Sequence, residues 1–320
     1  MELEFDPNKN IGKLDFIHIV YSYLRTLLTT FLHGYNIVKN WYDVILFKFK
    51  LKKNIVVNFR NGEKFEINSF GDHQNSWNNI SKAVLKEKIK SYGIKLNFEE
   101  EKISFEWNGN KLIFLETFDT LYLIFEQFVE DHLSRLDVKD KIVIDIGANI
   151  GDSAIYFALK GAKHIYAFEP YPYSYQFARK NIELNKLQNK ITLLNEGIGK
   201  KEKYIKIPPD FESKGGEDLK EFKEGKEVKI TTLEEVINRF NINSAVLKMD
   251  CEGCEYSSIL NCDVLKHFNQ IMIDYHYGYK NLVEKLKKEG FKVEYTLPKF
   301  SYNPSSTNPK MYVGWIYASL

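Results

Sequence analysis

The chain has 320 residues, and its 45 Lys and Arg against 43 Asp and Glu leave a net charge of +2. That balance argues against bulk nucleic acid as the main partner, since such binding is driven by a basic surplus. The 44% hydrophobic and 15% aromatic content excludes a disordered chain. Three cysteines cannot build a disulfide framework and fit a reducing compartment. The opening MELEFDPNKN is acidic and polar, unlike a secretory signal; a cytoplasmic location is expected.

Residues 14–47 are strongly apolar, but Asp15, Arg25, Lys39 and Asp43 interrupt the run before it can span a membrane. Phe16, Val20, Tyr23, Leu24, Leu27, Leu28, Phe31 and Leu32 recur at helical spacing. Internal packing or a dimer mate accounts for that face. The competing reading is peripheral membrane contact through residues 14–53, with Trp41, Tyr42 and the lysines at 48, 50, 52 and 53 at the interface. Residues 1–50 are taken as an amphipathic helical segment. Over residues 51–116 the period changes: strand-like runs flank Asn61-Gly62 and Asn108-Gly109, the turn dipeptides that tolerate positive φ. Two hairpins with a helix between them predict a small accessory α+β region.

From 117 to 320 strands and helices alternate: a helix over 118–135, then KIVIDIG, HIYAFEP, ITLLNEGIG, AVLKMD and QIMIDYH with helices between. This predicts an α/β domain with a buried, mostly parallel sheet. FKVEYTL and MYVGWIYASL have no helix between them, so the last pair should be antiparallel.

The strand tips carry the chemistry. The first runs Asp145-Ile-Gly147-Ala-Asn149-Ile-Gly151-Asp152, a strand-loop-helix turn with G-x-x-x-G spacing. Its glycines permit close backbone approach to a ligand, and Asp145 can accept from the ammonium of an amino-acid moiety, directly or through water. The second tip places Glu169 22 residues after Gly147, positioned for the two ribose hydroxyls of an adenosine. The third, Asn195-Glu196-Gly197, falls where adenine contacts are expected, so Glu196 joins the cofactor set. The fourth reads Asp250-Cys251-Glu252-Gly253-Cys254-Glu255. Its carboxylates repel one another unless something uses them, and Asp250 and Glu252 share a face if the strand extends that far. Glu255 also reads as an ordinary first-turn acid. The lone C-x-x-C with Cys262 is weak evidence for zinc or for a redox pair. His276, at the fifth tip, is a candidate proton acceptor.

IDIGANIGDSAIYFA, YAFEP and LKMDCEGCEY together resemble the FkbM family of class I S-adenosylmethionine-dependent methyltransferases, over roughly residues 117–320. The resemblance implies a Rossmann-like sheet of seven strands with the last antiparallel, S-adenosyl-L-methionine as cofactor, and O-methylation of a hydroxyl on a sugar, glycan, lipid or other small metabolite. It carries over Asp145, Gly147, Asn149, Gly151 and Glu169 for the cofactor and Asp250 and Glu252 as an acidic motif. With His276 these two acids are the candidates for removing the acceptor's proton. A divalent ion on Asp250 and Glu252 could polarise the hydroxyl instead, but the metal-free version ranks first and no metal ligand is assigned. The charged insertion 200–229 is read as an acceptor-side wall or lid, or equally a solvated hairpin. The alternatives are a nucleic-acid methyltransferase, disfavoured because the fourth tip lacks Asn-Pro-Pro-aromatic; a dinucleotide oxidoreductase, disfavoured by the glycine spacing; and a non-catalytic binding protein with a retired core.

Overall fold

The computed structural model describes residues 6–22, 36–48, 51–52, 54–67, 73–211, 219–303, 306 and 308–320. Both Asn-Gly turns form hairpins: β1 (Ile55–Asn58) with β2 (Lys64–Ile67), and β4 (Lys102–Trp107) with β5 (Asn110–Leu115). Asn108 and Gly109 both adopt positive φ, as a two-residue hairpin turn requires. A short β3 (Asn97–Glu99) adds to β4, and the helix His73–Ser91 lies between the hairpins in sequence. Residues 15–22 and Trp41–Lys48 are helical; residues 23–35 of that apolar stretch lie outside the described residues, as do 49–50 and Lys53 of the basic run. No helix among the described residues is long and apolar enough to cross a membrane.

The large sheet runs β14 (Lys292–Tyr295), β16 (Lys310–Ser319), β13 (Phe268–Tyr275), β12 (Ala245–Met249), β6 (Ile142–Ile146), β7 (His164–Phe168), β8 (Ile191–Leu194), with a short β15 (Lys299–Tyr302) on β16. Pairings from β13 to β8 are parallel, and β16 is antiparallel to both neighbours. In order of entry this is 3-2-1-4-5-7-6 with the seventh reversed, the α/β sheet expected for a class I methyltransferase. Val143 enters one core and Ile144 the other, so the central strands are apolar on both faces. The core runs across position 116: Ile103, Phe105, Leu112 and Phe114 of the second hairpin pack with Phe125, Phe128 and Val143. Asn181, on the helix Pro172–Leu184, and Asn185, which caps it, secure the open edge of β5 by accepting from the Leu115 and Ile113 amides.

Three elements depart from the sequence expectation. The helix over 118–135 is Thr120–Ile124, a π-helical turn Phe125–Val129 and a 3-10 turn His132–Arg135, broken by Asp131 at positive φ. ITLLNEGIG is two strands, because the chain bends at Asn195 and β9 (Glu196–Ile198) leaves the main sheet for β11 (Lys226–Thr231). The helix between AVLKMD and QIMIDYH is only Cys254–Ile259, followed by a 3-10 turn at Leu265–His267. The insertion forms a hairpin of β10 (Lys203–Ile207) and β11, packed through Ile205, Ile207 and Val228 onto Tyr171; residues 212–218 lie outside the described residues.

Candidate active site

The tips of β6, β7 and β12 open onto one cleft of about 900 Å³, counting the space at its mouth. Gly147, Asn149, Glu169, Asp250 and Glu252 line it, as the sequence predicts. Gly147 has φ +77, and a Cβ there would run into the Asp250 carbonyl, so the first and fourth tips touch through backbone alone. Glu169 is buried and bridges two tips: its Oε2 accepts from the Asn149 amide at 2.9 Å and its Oε1 from the Tyr171 amide at 2.8 Å. Each oxygen keeps a lone pair for a ribose hydroxyl. Burial raises its pKa to about 8, against the lowering effect of those two amides.

Asp145, Gly151, Glu196 and His276 are placed otherwise. Asp145 is fully buried and does not line the cleft; Lys248 on the neighbouring strand lies 3.3 Å away, and Ser153 Oγ donates to it at 2.7 Å. Lys248 offsets its charge without a hydrogen bond to Oδ1, and with no surface on the cleft Asp145 does not meet an ammonium directly. Gly151 has φ +85 and packs 3.3 Å from Ala178 Cα, if given a Cβ, so it serves helix packing rather than ligand contact. Glu196 turns away with β9 into an ion pair with Arg239, whose Nη1 donates to both carboxylate oxygens at 2.9 Å, and Gly197 and Ile198 line the cleft in its stead.

His276 sits behind the fourth tip, 8% exposed. Its Nδ1 is 3.0 Å from Glu255 Oε1, and its Nε2 is 2.9 Å from Glu252 and 3.7 Å from Asp250. Burial opposes its charge, but Glu252 and Glu255 outweigh it and hold the pKa well above the usual histidine value. His276 is therefore an imidazolium that orders carboxylates, not the free proton acceptor expected. Glu255, fully buried, also accepts from the Cys251 and Gly253 amides and so closes the tip loop. The strand stops at Met249, and Glu252 has φ +57, so Asp250 and Glu252 converge through a turn rather than along a strand face. Cys251 and Cys254 are joined by a disulfide, which replaces both the zinc reading and the expectation of three reduced thiols; Cys262 is free and buried.

Asp250 keeps 40% of its side-chain surface on the open side. Burial of its base, with Asp274 and Glu252 nearby, raises its pKa above the usual carboxylate range despite Lys248 and His276. Among the described residues, Asp250, Glu252 and His276 are also a set whose ligand atoms lie within 4.8 Å of one another, close enough to hold a metal ion.

The sequence reading missed the wall contributed by residues 123–127. Leu123, Glu126 and Gln127 line the cleft together with Asp152, while Phe125 and Phe128 point into the core. A π-helical turn has no simple periodic signature, which is why the pattern reads as one helix. Leu219 of the insertion reaches the same cleft, beside Tyr171 and Gly197. Beyond this wall, His132 Nε2 lies 3.1 Å from Asp274. Burial lowers its pKa, but the Asp274 hydrogen bond and charge dominate and raise it to about 9. A raised histidine stabilises the fold fully below its unfolded value of about 6.5 and loses that contribution as pH rises through about 9. Urea denaturation at pH 6 and pH 9.5 should thus show a smaller stability drop for His132→Gln than for the native chain; equal drops would remove the coupling.

Residues 145–293 match the family model described as methyltransferase FkbM domain. The chain is 32% identical over 155 residues to uncharacterized protein 158B of Sulfolobus islandicus rod-shaped virus 1, covering 48% of this chain and 73% of that protein. It is 31% identical over 127 residues to the ribosomal protein L11 methyltransferase of Carboxydothermus hydrogenoformans, 39% of this chain and only 40% of that enzyme's length. The crystal structure of methyltransferase FkbM from Methylobacillus flagellatus aligns over 63% of this chain and 54% of that one, at 15% identity and a TM-score of 0.39.

Proposed function

From its membership of the FkbM methyltransferase family, we propose that this chain binds S-adenosyl-L-methionine in the cleft and transfers its methyl group to a hydroxyl of a sugar, glycan, lipid or other small metabolite. One observation carries the reading: Glu169 and Asp250 line the same cleft, and the bare backbone of Gly147 lets the first and fourth tips close against each other at its floor. The residues fit the cofactor. Glu169 is held by two amides with lone pairs to spare, and the acceptor-rich wall suits a ligand bearing ammonium and sulfonium charges.

When bound, the cofactor supplies a methyl group already activated by its sulfonium. The protein's share is position and proton transfer. Glu169 would hold the ribose hydroxyls, and Gly147 keeps the first tip in backbone contact with the fourth, so that Glu169 and Asp250 line one cleft. Methyl transfer would require the acceptor hydroxyl to give up its proton, and Asp250, partly exposed on the cleft, is the residue placed to take it. Its raised pKa makes Asp250 a stronger base than an ordinary carboxylate. The imidazolium of His276 keeps Glu252 and Glu255 ordered beneath it. The acids at 126, 152, 169, 250 and 252 would repel a phosphate backbone, which favours a small acceptor over nucleic acid.

Thermal melts with S-adenosylhomocysteine should rise by several degrees at saturating ligand, on the order of 2–3 kcal/mol at a hundredfold excess over Kd; no shift would favour the non-catalytic reading. A methyl-transfer screen then identifies the acceptor, and amine acceptors alone turning over would overturn the hydroxyl assignment. With the acceptor in hand, Asp250→Asn should lower kcat by about 10²–10⁴ while ligand binding is retained. Turnover of the native chain should rise with pH on a limb above the usual carboxylate range, and the variant should lose that limb.

A further inference from the structure

We propose that Gln127, with Asp152 and Glu126, forms the receptor for the α-ammonium of the cofactor's methionyl group. The inference rests on the S-adenosylmethionine reading above. It starts from the displaced role of Asp145, which is sealed under Lys248 and Ser153 and has no surface on the cleft. The ammonium needs acceptors elsewhere on the wall.

Gln127 provides one. It is 5% exposed, lines the cleft, and its Oε1 has no hydrogen-bond partner in the protein. A buried amide oxygen left unpaired is costly, so a donor from a ligand restores what folding removed. Asp152, 4% exposed on the same cleft, opens the helix Asp152–Leu159 just beyond the glycine loop. Burial, with Asp145 near, pushes it up to about 7; its nearest cation, Lys248, is already committed to Asp145. Glu126 is likewise raised by burial. An ammonium carries three donors and a positive charge, which matches one orphaned oxygen and two carboxyls that stay raised despite the nearest cations, Lys248 and His132. The π-helical turn makes the arrangement: it turns two successive residues, 126 and 127, onto the cleft while Phe125 and Phe128 anchor either side in the core.

The test is calorimetric titration of the full chain with three ligands: S-adenosylhomocysteine, its analogue without the amino group, and its analogue without the carboxyl group. Gln127→Met should weaken S-adenosylhomocysteine and the decarboxylated analogue by about ten- to a hundredfold, the loss expected for one hydrogen bond to a charged group. The des-amino analogue should bind variant and native chain within about twofold. Asp152→Asn, on a different helix, should show the same selectivity, so a folding defect in one variant leaves the other to decide. Unchanged S-adenosylhomocysteine binding, equal loss of all three ligands, or loss confined to the carboxyl-bearing pair would overturn the assignment. Failure of the native chain to bind any of the three ligands overturns the cofactor reading itself, and the ammonium receptor with it.

Discussion

Lys248→Met is expected to cost about 3–5 kcal/mol of folding stability, the penalty for leaving one partner of a buried ion pair alone. Lys248 is 3% exposed and Asp145 is fully buried. Burial opposes the ammonium's charge, yet Asp145, with Asp250, Asp152 and Asp274 beyond it, raises its pKa and keeps it protonated. Its Nζ also donates to the Gly147 carbonyl at 2.9 Å, so the same group neutralises the sheet interior and holds the loop at the cleft floor. Methionine fills similar volume without the charge, which isolates the electrostatic loss from a cavity. Asp145→Asn added to Lys248→Met should recover most of the deficit, because the uncompensated carboxylate is then gone. Chemical denaturation of the two variants reads both numbers. A single-variant loss below about 1 kcal/mol would show that the pair is not the buried, dry contact described here.

Gly147→Ala should be comparably severe and should abolish binding of S-adenosylhomocysteine. A side chain at φ +77 pays for a left-handed backbone, and its Cβ would overlap the Asp250 carbonyl, which is backbone and cannot swing aside. The total is on the order of 3 kcal/mol or more. Relief requires the first and fourth tips to part, and with them Glu169, held by the Asn149 amide, and Asp250. Ala at Gly62 is the matched control: it shares a positive φ but has nothing within 4 Å of the added carbon. If Gly147→Ala melted and bound ligand like Gly62→Ala, the contact between tips would carry no weight.

What the sequence made legible was local. Asn108-Gly109 forced a hairpin, alternation of apolar strands with amphipathic helices forced a parallel sheet, and acids at strand ends marked the open edge. What it hid were pairings across the fold. Nothing near Asp145 in sequence announces that β12 will set Lys248 directly opposite it, because that register joins residues about a hundred positions apart. Glu196 looked like a third tip because ITLLNEGIG reads as one strand; the bend at Asn195 hands the acid to Arg239. His276 reads as a base because a histidine's role depends on its neighbours, and its carboxylates, Asp250 and Glu252 from a turn and Glu255 from the helix after it, show in the sequence only as an acidic cluster. The wall at 123–127 is hidden because a π turn leaves no periodic signature of its own.

The position of β16 bears on how the molecule is made. It is inserted between β13 and β14, with Ile316 and Ala318 fully buried in the core. During synthesis β13 emerges some forty residues ahead of the strand that covers its outer side. Until residues 310–319 arrive, that long apolar strand presents an unpaired edge to every other nascent copy nearby, and the sheet's closure, rather than its nucleation, is the interval in which the polypeptide is most exposed to aggregation.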